Sequence, residues 1–387
     1  MRVRTGFLGA IGAALVTLAA SVGAGEPWAF NLPRGFPVPK IPADNPLTPA
    51  KVELGRHLFY DARLSENRRL SCAACHDQSM AFTDGRGRAI GSTGEIHPRG
   101  SMSLVNIAYA TALTWGKPSV LNLEEQARGP MFGTEPIELG LKEPGDGLVT
   151  RLRAVPKYVA LFKAAFPENP AITVDNVTRA LASFERTIIS ARSPYDRYHY
   201  DRVDDAISPA AKRGEVLFFS QPLGCFQCHG GFNFSGAVEA EGGAPREPEF
   251  HNTGLYNLAG PTSYPSPNTG IHQVTGNPKD IGKFKAPTLR NIALTSPYMH
   301  DGSIETLEAV IDHYAAGGRT IASGPLAGNG SANPNKSERV RGFTLTPGER
   351  ADLIEFLHAL TDTELLRDRR FAAPRAVSRG DDPPLGR

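Results

Sequence analysis

Two stretches of the chain share one pattern: LGRHLFYDARLSENRRLSCAACHDQSMAF at residues 54–82 and RGEVLFFSQPLGCFQCHGGFNF at residues 213–234. Each has G-x-x-L-F ahead of a CxxCH motif and a phenylalanine shortly after it, Phe82 and Phe234. The other matching pairs are Gly55 with Gly214, Leu58 with Leu217, and Phe59 with Phe218. Repetition on this scale predicts two similar, mainly α-helical units.

All four cysteines of the chain lie in the CxxCH motifs, CAACH at 72–76 and CFQCH at 225–229. A histidine directly after such a pair is the signal for covalent attachment of haem c. Both thiols then bond to the porphyrin, and the histidine binds the iron from the proximal side. One motif could be half of a zinc site, but two copies without another cysteine predict two haem c groups. The predicted residues are Cys72, Cys75 and His76 for the first haem, and Cys225, Cys228 and His229 for the second.

The N-terminus has the three parts of a secretory signal peptide. Arg2 and Arg4 precede an apolar run at residues 7–20 and the small-residue stretch VGA at 22–24. We therefore expect residues 1–24 to be removed and the mature protein to be exported to the periplasm, without stable membrane insertion. The apolar run approaches the length of a membrane span, so an uncleaved anchor is the alternative.

Length and composition favour a two-domain protein with many loops. The chain has 387 residues, including 40 glycines and 32 prolines, which predict frequent turns. Its 42 basic and 40 acidic residues are mixed, so no nucleic-acid partner is expected.

The repeat sets the expected domain boundaries. After the signal peptide come an N-terminal extension (25–44), a first haem domain (45–203), a second haem domain (204–365) and a C-terminal tail (366–387). Ser208 is expected to cap the helix that opens the second domain. A Gly/Pro-rich stretch at about residues 235–285 interrupts that domain, and loops of this length commonly serve function. We therefore expect two cytochrome c-like domains related by internal duplication, with long Gly/Pro-rich loops.

A further set of motifs resembles the bacterial di-haem cytochrome c peroxidases, the family that includes MauG. These motifs are FTDG (82–85), LVNIAYATALTW (104–115), LEEQA (123–127), PIELG (136–140), FKAPTLRNIALTSPYMHDG (284–302) and LEAVIDHYAAGG (307–318). In the MbnH-like branch of this family, a partner protein is oxidised by peroxide on a tryptophan side chain. The segments that look closest to that branch are GEIHPRGSMSLVN (94–106), MFGTEPIELG (131–140) and FHNTGLYNL (250–258).

The resemblance implies that the first haem, bound by His76, is the peroxidatic one. Breaking the O–O bond of peroxide requires a proton to move between its oxygens, which a carboxylate beside the haem can do. Gln126 and Glu138 match the family's distal glutamine and glutamate. The connection before Glu138 is longer than is usual in the family, so Glu135 is a second candidate for the distal acid.

Trp115 matches a family tryptophan that lies between the two haems and relays electrons or holes. A large π system is readily oxidised, whereas the ordinary use of a tryptophan is core packing. The family's W-D-G-R is here W-G-K-P at residues 115–118, so the acid and the arginine are lost. We expect Trp115 to act as a relay.

A helix is predicted at LEAVIDHYAAGG, because an apolar stripe runs along it and two glycines follow. The stripe consists of Leu307, Val310, Ile311 and Tyr314. In sequence, a stripe that faces a porphyrin looks identical to one that faces a core. Ordinary peroxidases of the family carry methionine at this tyrosine's position and MauG-like members carry tyrosine. The resemblance therefore implies that Tyr314 is an axial ligand of the second haem. His313, on another face, is expected to be solvated.

The resemblance also implies a calcium ion between the haems. Thr295 and Pro297 fit the family's T-x-P segment, whose carbonyl oxygens suit calcium. The family's asparagine is Gly100 here, which offers only a carbonyl. Some members use a loop histidine to cap the peroxidatic iron. His97 lies in that region, but Pro98 stiffens the loop, and we expect no ligation in the resting state.

These features predict a haem-dependent peroxidase. In the leading interpretation, it is a MauG- or MbnH-like enzyme that uses hydrogen peroxide, through a high-valent di-haem state, to oxidise a tryptophan of a small exported protein. The alternative is a conventional cytochrome c peroxidase that reduces peroxide to water with electrons from a small cytochrome c or cupredoxin. A di-haem electron carrier would need no distal acid, so Gln126 and Glu138 argue against it. A monomer or homodimer is expected.

Overall fold

The structure is a computed structural model that describes residues 26–244, 247–260 and 262–374. The predicted signal peptide lies outside these residues, as does the C-terminal tail beyond residue 374. The fold is mainly α, as predicted. The α-helices of the described residues are α1 (Pro49–Phe59), α2 (Leu123–Phe132), α3 (Asp146–Arg153), α4 (Pro156–Ala165), α5 (Val174–Glu185), α6 (Pro194–His199), α7 (Pro209–Phe218), α8 (Phe226–His229), α9 (His272–Thr275), α10 (Leu307–Ala315) and α11 (Pro347–Ala359).

Two short antiparallel sheets accompany the helices. β1 (Phe250–His251) pairs with β2 (Phe284–Lys285), and β3 (Thr320–Ile321) pairs with β4 (Gly328–Asn329). In the part of the chain that the structure describes, no helix is long and apolar enough to cross a membrane.

The first unit is built on the crossing of α1 and α5. Gly55 lies at this crossing, where an added Cβ would stand 2.9 Å from Phe184 Cβ. Phe59 of α1 packs on Phe184 of α5 with ring centroids 5.2 Å apart. Leu54, Leu58 and Phe59 are fully buried here, and burying such a side chain stabilises a fold by about 1.5–3 kcal/mol. Glycine therefore lets the two apolar helix faces approach closely.

The second unit is built in the same way on α7 and α11. An added Cβ at Gly214 would stand 2.8 Å from Phe356 Cβ. Phe218 of α7 packs on Phe356 of α11, again with ring centroids 5.2 Å apart. Ser208 caps α7 by accepting a hydrogen bond from the Ala211 amide at 3.0 Å, which confirms the predicted cap. The glycines and phenylalanines that match in sequence thus occupy equivalent places in the two helix pairs.

A buried ion pair holds α6, whose Tyr195 packs in the core of the second unit. The fully buried Arg290 donates to both carboxylate oxygens of Asp196, at 2.8 and 2.9 Å. The Arg290 guanidinium also lies 5.0 Å from the ring centroid of Phe36, in the N-terminal extension. Tyr109 donates to the Pro37 carbonyl at 2.7 Å. The extension is therefore packed against both units.

The first residues of the C-terminal tail, 366–374, pack against the first unit. The Tyr60 hydroxyl donates to the Phe371 carbonyl at 2.6 Å, and Arg56 donates to the Ala372 carbonyl at 2.8 Å. Phe371 is buried in the core of the first unit. Residues 366–374 thus cover one side of that core.

The Gly/Pro-rich stretch packs over the second unit. It contains β1, α9 and the start of β2. Asn252 is fully buried and donates to the Ile281 carbonyl at 3.0 Å, which ties the two ends of the stretch together. Tyr256 and Tyr264 are buried between those ends.

Candidate active site

The first CxxCH motif opens onto a cavity. Cys72, Cys75 and His76 line it, and neither cysteine is in a disulfide. His76 Nδ1 lies 3.0 Å from the Phe82 carbonyl oxygen. Because a carbonyl only accepts hydrogen bonds, Nδ1 carries the proton and Nε2 is left to bind a metal. Burial lowers the pKa of His76, which keeps the imidazole neutral. The residues present therefore fit a covalently attached haem.

Gln126 and Glu138 line the same cavity as His76. Gln126 is carried by α2, whereas Glu138 lies in a loop whose backbone is held by the Ser92 amide, which donates to the Glu138 carbonyl at 2.7 Å. Glu135 is exposed and is not among the residues that line this cavity. The structure thus brings an amide and a carboxylate to the first haem-binding motif and leaves Glu135 outside.

His97 also lines the first cavity, with its Nε2 3.6 Å from Glu138 Oε1. The Arg99 amide donates to His97 Nδ1 at 3.2 Å. The neutral imidazole therefore carries its proton on Nε2, facing the carboxylate. In this tautomer Nε2 has no lone pair to offer to iron. His97 therefore lies beside the Glu138 carboxylate, at a distance longer than a hydrogen bond.

Glu185 is a residue of the first cavity that the sequence reasoning missed. It lies at the end of α5 and is 6% exposed, and its Oε2 has no hydrogen-bond partner among the described residues. Burial raises the pKa of Glu185 to about 8, so its carboxyl is protonated at neutral pH. One signal could have found it: Glu185 follows Val177 and Leu181 at four-residue spacing, which places it on the apolar face of the helix.

The second CxxCH motif opens onto a larger cavity. Cys225, Cys228 and His229 line it. His229 Nδ1 lies 3.1 Å from the Phe234 carbonyl oxygen, which repeats the arrangement at the first motif. Burial lowers the pKa of His229 to about 4. This histidine is therefore also neutral, with Nε2 available for iron.

The apolar stripe of α10 faces this second cavity. All four of its residues line the cavity: Leu307, Val310, Ile311 and Tyr314. Burial raises the pKa of the Tyr314 phenol above its ordinary value, so the phenol keeps its proton unless a cation such as iron displaces it. Met299 lines the same cavity. The structure thus brings four candidate iron ligands to the haem motif of His229: Tyr314, Met299, His251 and His300.

His313 is not solvated, so that expectation is wrong. It is 5% exposed, and neither ring nitrogen has a hydrogen-bond partner among the described residues. The reason is tertiary. The chain reverses after α10, where the Gly318 amide donates to the His313 carbonyl at 3.0 Å. The Arg319 amide then donates to the Gly254 carbonyl at 2.8 Å, which brings the Gly/Pro-rich stretch over this helix face.

Trp115 lies between the second cavity and a central cavity. Its indole Nε1 donates to the Gly100 carbonyl at 3.0 Å. Residues of both units line the central cavity, among them Asn106 of the first and Asn233 of the second. The structure therefore places the indole where the two units meet.

The three residues expected to bind calcium, Gly100, Thr295 and Pro297, all line this central cavity. Calcium takes six to eight oxygen ligands and favours carboxylates among them. The described lining holds three basic side chains, Arg86, Lys285 and Arg290, without a carboxylate, and the Gly100 carbonyl already accepts from Trp115. The donor set is therefore a poor fit for calcium.

Comparison with known proteins agrees with this geometry. Residues 49–204 match the family model described as di-haem cytochrome c peroxidase. The methylamine utilization protein MauG of Methylorubrum extorquens is 37% identical over 334 residues, which cover 86% of this chain and 83% of that protein. The cytochrome-c peroxidase IdrP1 of Denitromonas iodatirespirans is 36% identical over 375 residues, covering 92% and 93%.

A solved structure is also similar. The crystal structure of a MauG-like protein associated with microbial copper homeostasis superposes with a TM-score of 0.87 at 45% identity, covering 90% of this chain and 99% of that one. Extensive identity to such relatives shows membership of one family. The chain therefore belongs to the di-haem cytochrome c peroxidase family that includes MauG, and it is a haem-dependent peroxidase.

Proposed function

We propose that this protein is a periplasmic di-haem peroxidase that uses hydrogen peroxide to oxidise a tryptophan of a small exported protein. The observation that carries the proposal is Tyr314 in the second haem cavity. A phenolate is a hard anionic ligand that stabilises oxidised iron, whereas a thioether favours reduced iron. A tyrosine ligand therefore suits a haem that stores oxidising power rather than one that collects electrons from a donor protein.

In the first cavity, the chain supplies the groups that handle protons. When bound, haem supplies the redox-active iron at which peroxide reacts. Glu138 takes a proton from one peroxide oxygen and returns it to the departing oxygen. Gln126 donates an amide hydrogen bond that orients the peroxide. His97 lies beside this carboxylate, with its Nε2 3.6 Å from Glu138 Oε1.

Trp115 connects this site to the second haem. Its indole lines both the second and the central cavity and is held by the Gly100 carbonyl. We propose that Trp115 transfers electrons between the two haem sites. The likeness to a MauG-like protein over 90% of the chain supports a shared oxidising unit.

We also infer that the two haem domains, residues 45–203 and 204–365, arose by internal duplication. Equivalent glycines lie at both helix crossings. Both proximal histidines place Nδ1 at 3.0–3.1 Å from the carbonyl of a following phenylalanine. With two haem sites, the first can react with peroxide while the second stores oxidising power.

The experiment that tests the proposed function is the absorption and EPR spectrum of the oxidised protein before and after one equivalent of peroxide. We expect a long-lived change without prior reduction. Activity that appears only after one haem is reduced would establish the conventional cytochrome c peroxidase instead. Two low-spin irons that ignore peroxide would establish an electron carrier.

The ligand assignment has its own test. Tyr314→Phe should change the spectrum of the second haem, because the phenolate ligand is lost. Met299→Leu is the matched control, since Met299 lines the same cavity and should leave that spectrum unchanged. The reverse result would assign the ligand to Met299 and favour the conventional peroxidase.

A further inference from the structure

A row of aromatic rings leads from the second haem cavity into the Gly/Pro-rich stretch. Phe284 and His300 line the cavity and stack on each other, with centroids 3.7 Å apart and 13° between the planes. Tyr264 comes next, 6.1 Å from both rings. Tyr256 follows, 5.3 Å from Tyr264 in an edge-to-face contact. Rings at these separations are in direct contact, which is what electron transfer through side chains requires.

The row ends on a tyrosine that has its own proton acceptor. Tyr256 is 3% exposed, and its hydroxyl donates to Asp301 Oδ2 at 2.7 Å. Burial raises the pKa of Tyr256 to about 12, so the phenol is protonated at neutral pH. The Ser303 amide donates to the other carboxylate oxygen, Asp301 Oδ1, at 3.1 Å. Asp301 Oδ2 is therefore positioned to accept the phenolic proton of Tyr256.

This pairing matters because a phenol gives up an electron readily only when its proton leaves at the same time. A buried tyrosine without an acceptor would have to form a charged radical in an apolar environment, which is unfavourable. At Tyr256 the proton has only a hydrogen bond to cross. The structure thus combines a path for the electron with a path for the proton.

We propose that Tyr264 and Tyr256 form an electron-transfer relay from the second haem site, and that Tyr256 is oxidised when peroxide is present without a protein substrate. Tyr256 gives one electron through Tyr264 and His300 to the haem site, and its phenolic proton moves to Asp301 Oδ2. The product is a neutral tyrosyl radical beside a protonated aspartic acid. Hydrogen peroxide takes up two electrons and two protons to become two waters. Tyr256 supplies one of those two electrons. The haem sites supply the other and remain oxidised by one electron. The relay rests on the proposed function, which supplies the oxidant.

Tyr158 in the first unit provides a matched control. It is 1% exposed, and its hydroxyl donates to Asp61 Oδ2 at 2.5 Å. It lines none of the three cavities described above and takes part in none of the ring contacts of the row. Tyr158 therefore has the proton acceptor without the electron path.

The test adds one equivalent of peroxide to the haem-loaded wild type and to the Tyr256→Phe, Tyr264→Phe and Tyr158→Phe variants. EPR with ring-deuterated tyrosine detects the radical, absorption spectra follow the haems, and peptide mass spectrometry locates the oxidised residue. We expect a tyrosyl signal in the wild type and in Tyr158→Phe, its loss in Tyr256→Phe, and its slower appearance in Tyr264→Phe. In the wild type, oxidation products should map to the peptide that contains Tyr256.

Phenylalanine keeps the ring packing, so haem content and the haem response to peroxide should match in all four proteins. A normal haem response with an undiminished tyrosyl signal in Tyr256→Phe would overturn the relay. So would a normal haem response without a tyrosyl signal in the wild type. Haems that fail to respond to peroxide in the wild type would overturn the proposed function as well as the relay.

Discussion

Replacing Gly55 or Gly214 by alanine should force a helix pair apart in one haem unit. At Gly55 the added Cβ would stand 2.9 Å from Phe184 Cβ and closer still to a facing backbone carbonyl. At Gly214 it would stand 2.8 Å from Phe356 Cβ, again with a carbonyl closer still. Carbon atoms in contact lie about 3.5–4.0 Å apart, so the helices must separate by more than about half an ångström.

The expected loss follows from two opposing effects. Overpacking costs about 1–3 kcal/mol, and the cost lies in the upper half of that range here because a backbone carbonyl cannot rotate away. Alanine also restricts the unfolded chain, which stabilises the folded state by about 0.4–1 kcal/mol. The net loss should be about 2 kcal/mol for each variant. For a unit of this size, that lowers Tm by about 4–8 °C.

The assay is thermal unfolding of the haem-loaded protein, followed by far-UV circular dichroism, with urea unfolding as a second measure. Gly147→Ala in α3 is the matched control, because a Cβ there meets no atom within 4 Å. That variant should be slightly more stable than the wild type. Wild-type stability in both Gly55→Ala and Gly214→Ala would refute the reasoning that these glycines set the helix separation.

Three further predictions test the site and the buried ion pair. Glu138→Gln should lower peroxide turnover by about 10²–10⁴-fold. Glu135→Gln is the control and should leave turnover unchanged, because Glu135 is exposed. If Glu135→Gln lowers turnover and Glu138→Gln does not, Glu135 is the distal acid. Asp196→Asn leaves the buried Arg290 without its carboxylate and should cost about 3–5 kcal/mol in urea unfolding; an unaltered midpoint would contradict this. Glu185→Gln should remove a pH dependence of stability. The folded carboxyl keeps its proton up to a pKa of about 8, while the unfolded chain releases it near 4.5. Wild-type stability therefore falls as pH rises through this window, by at most about 5 kcal/mol, and parallel pH profiles of the two proteins would disprove the shift.

Local patterns in the chain were enough to predict the family, the peroxidase class and the mainly α fold. The CxxCH spacing carries its chemistry within five residues, so no distant contact is needed to recognise it. The same holds for Ser208, whose cap depends only on the amide of Ala211, three residues later. Helix periodicity likewise predicted the apolar stripe that ends at Tyr314.

The chain by itself predicted which residues attach haem and which helix faces are apolar, because both predictions depend on spacing along the backbone. Only the tertiary structure decided what those faces meet. The stripe of α10 lines a cavity as well as packing in the core of the second unit, and Glu138 enters the first cavity while Glu135 stays exposed. Helix periodicity could have placed Glu185 on a buried face, whereas His313 is buried because the Gly/Pro-rich stretch folds over it. Burial and the pKa of a buried acid are properties of those long-range contacts, which the spacing of residues along the chain does not encode.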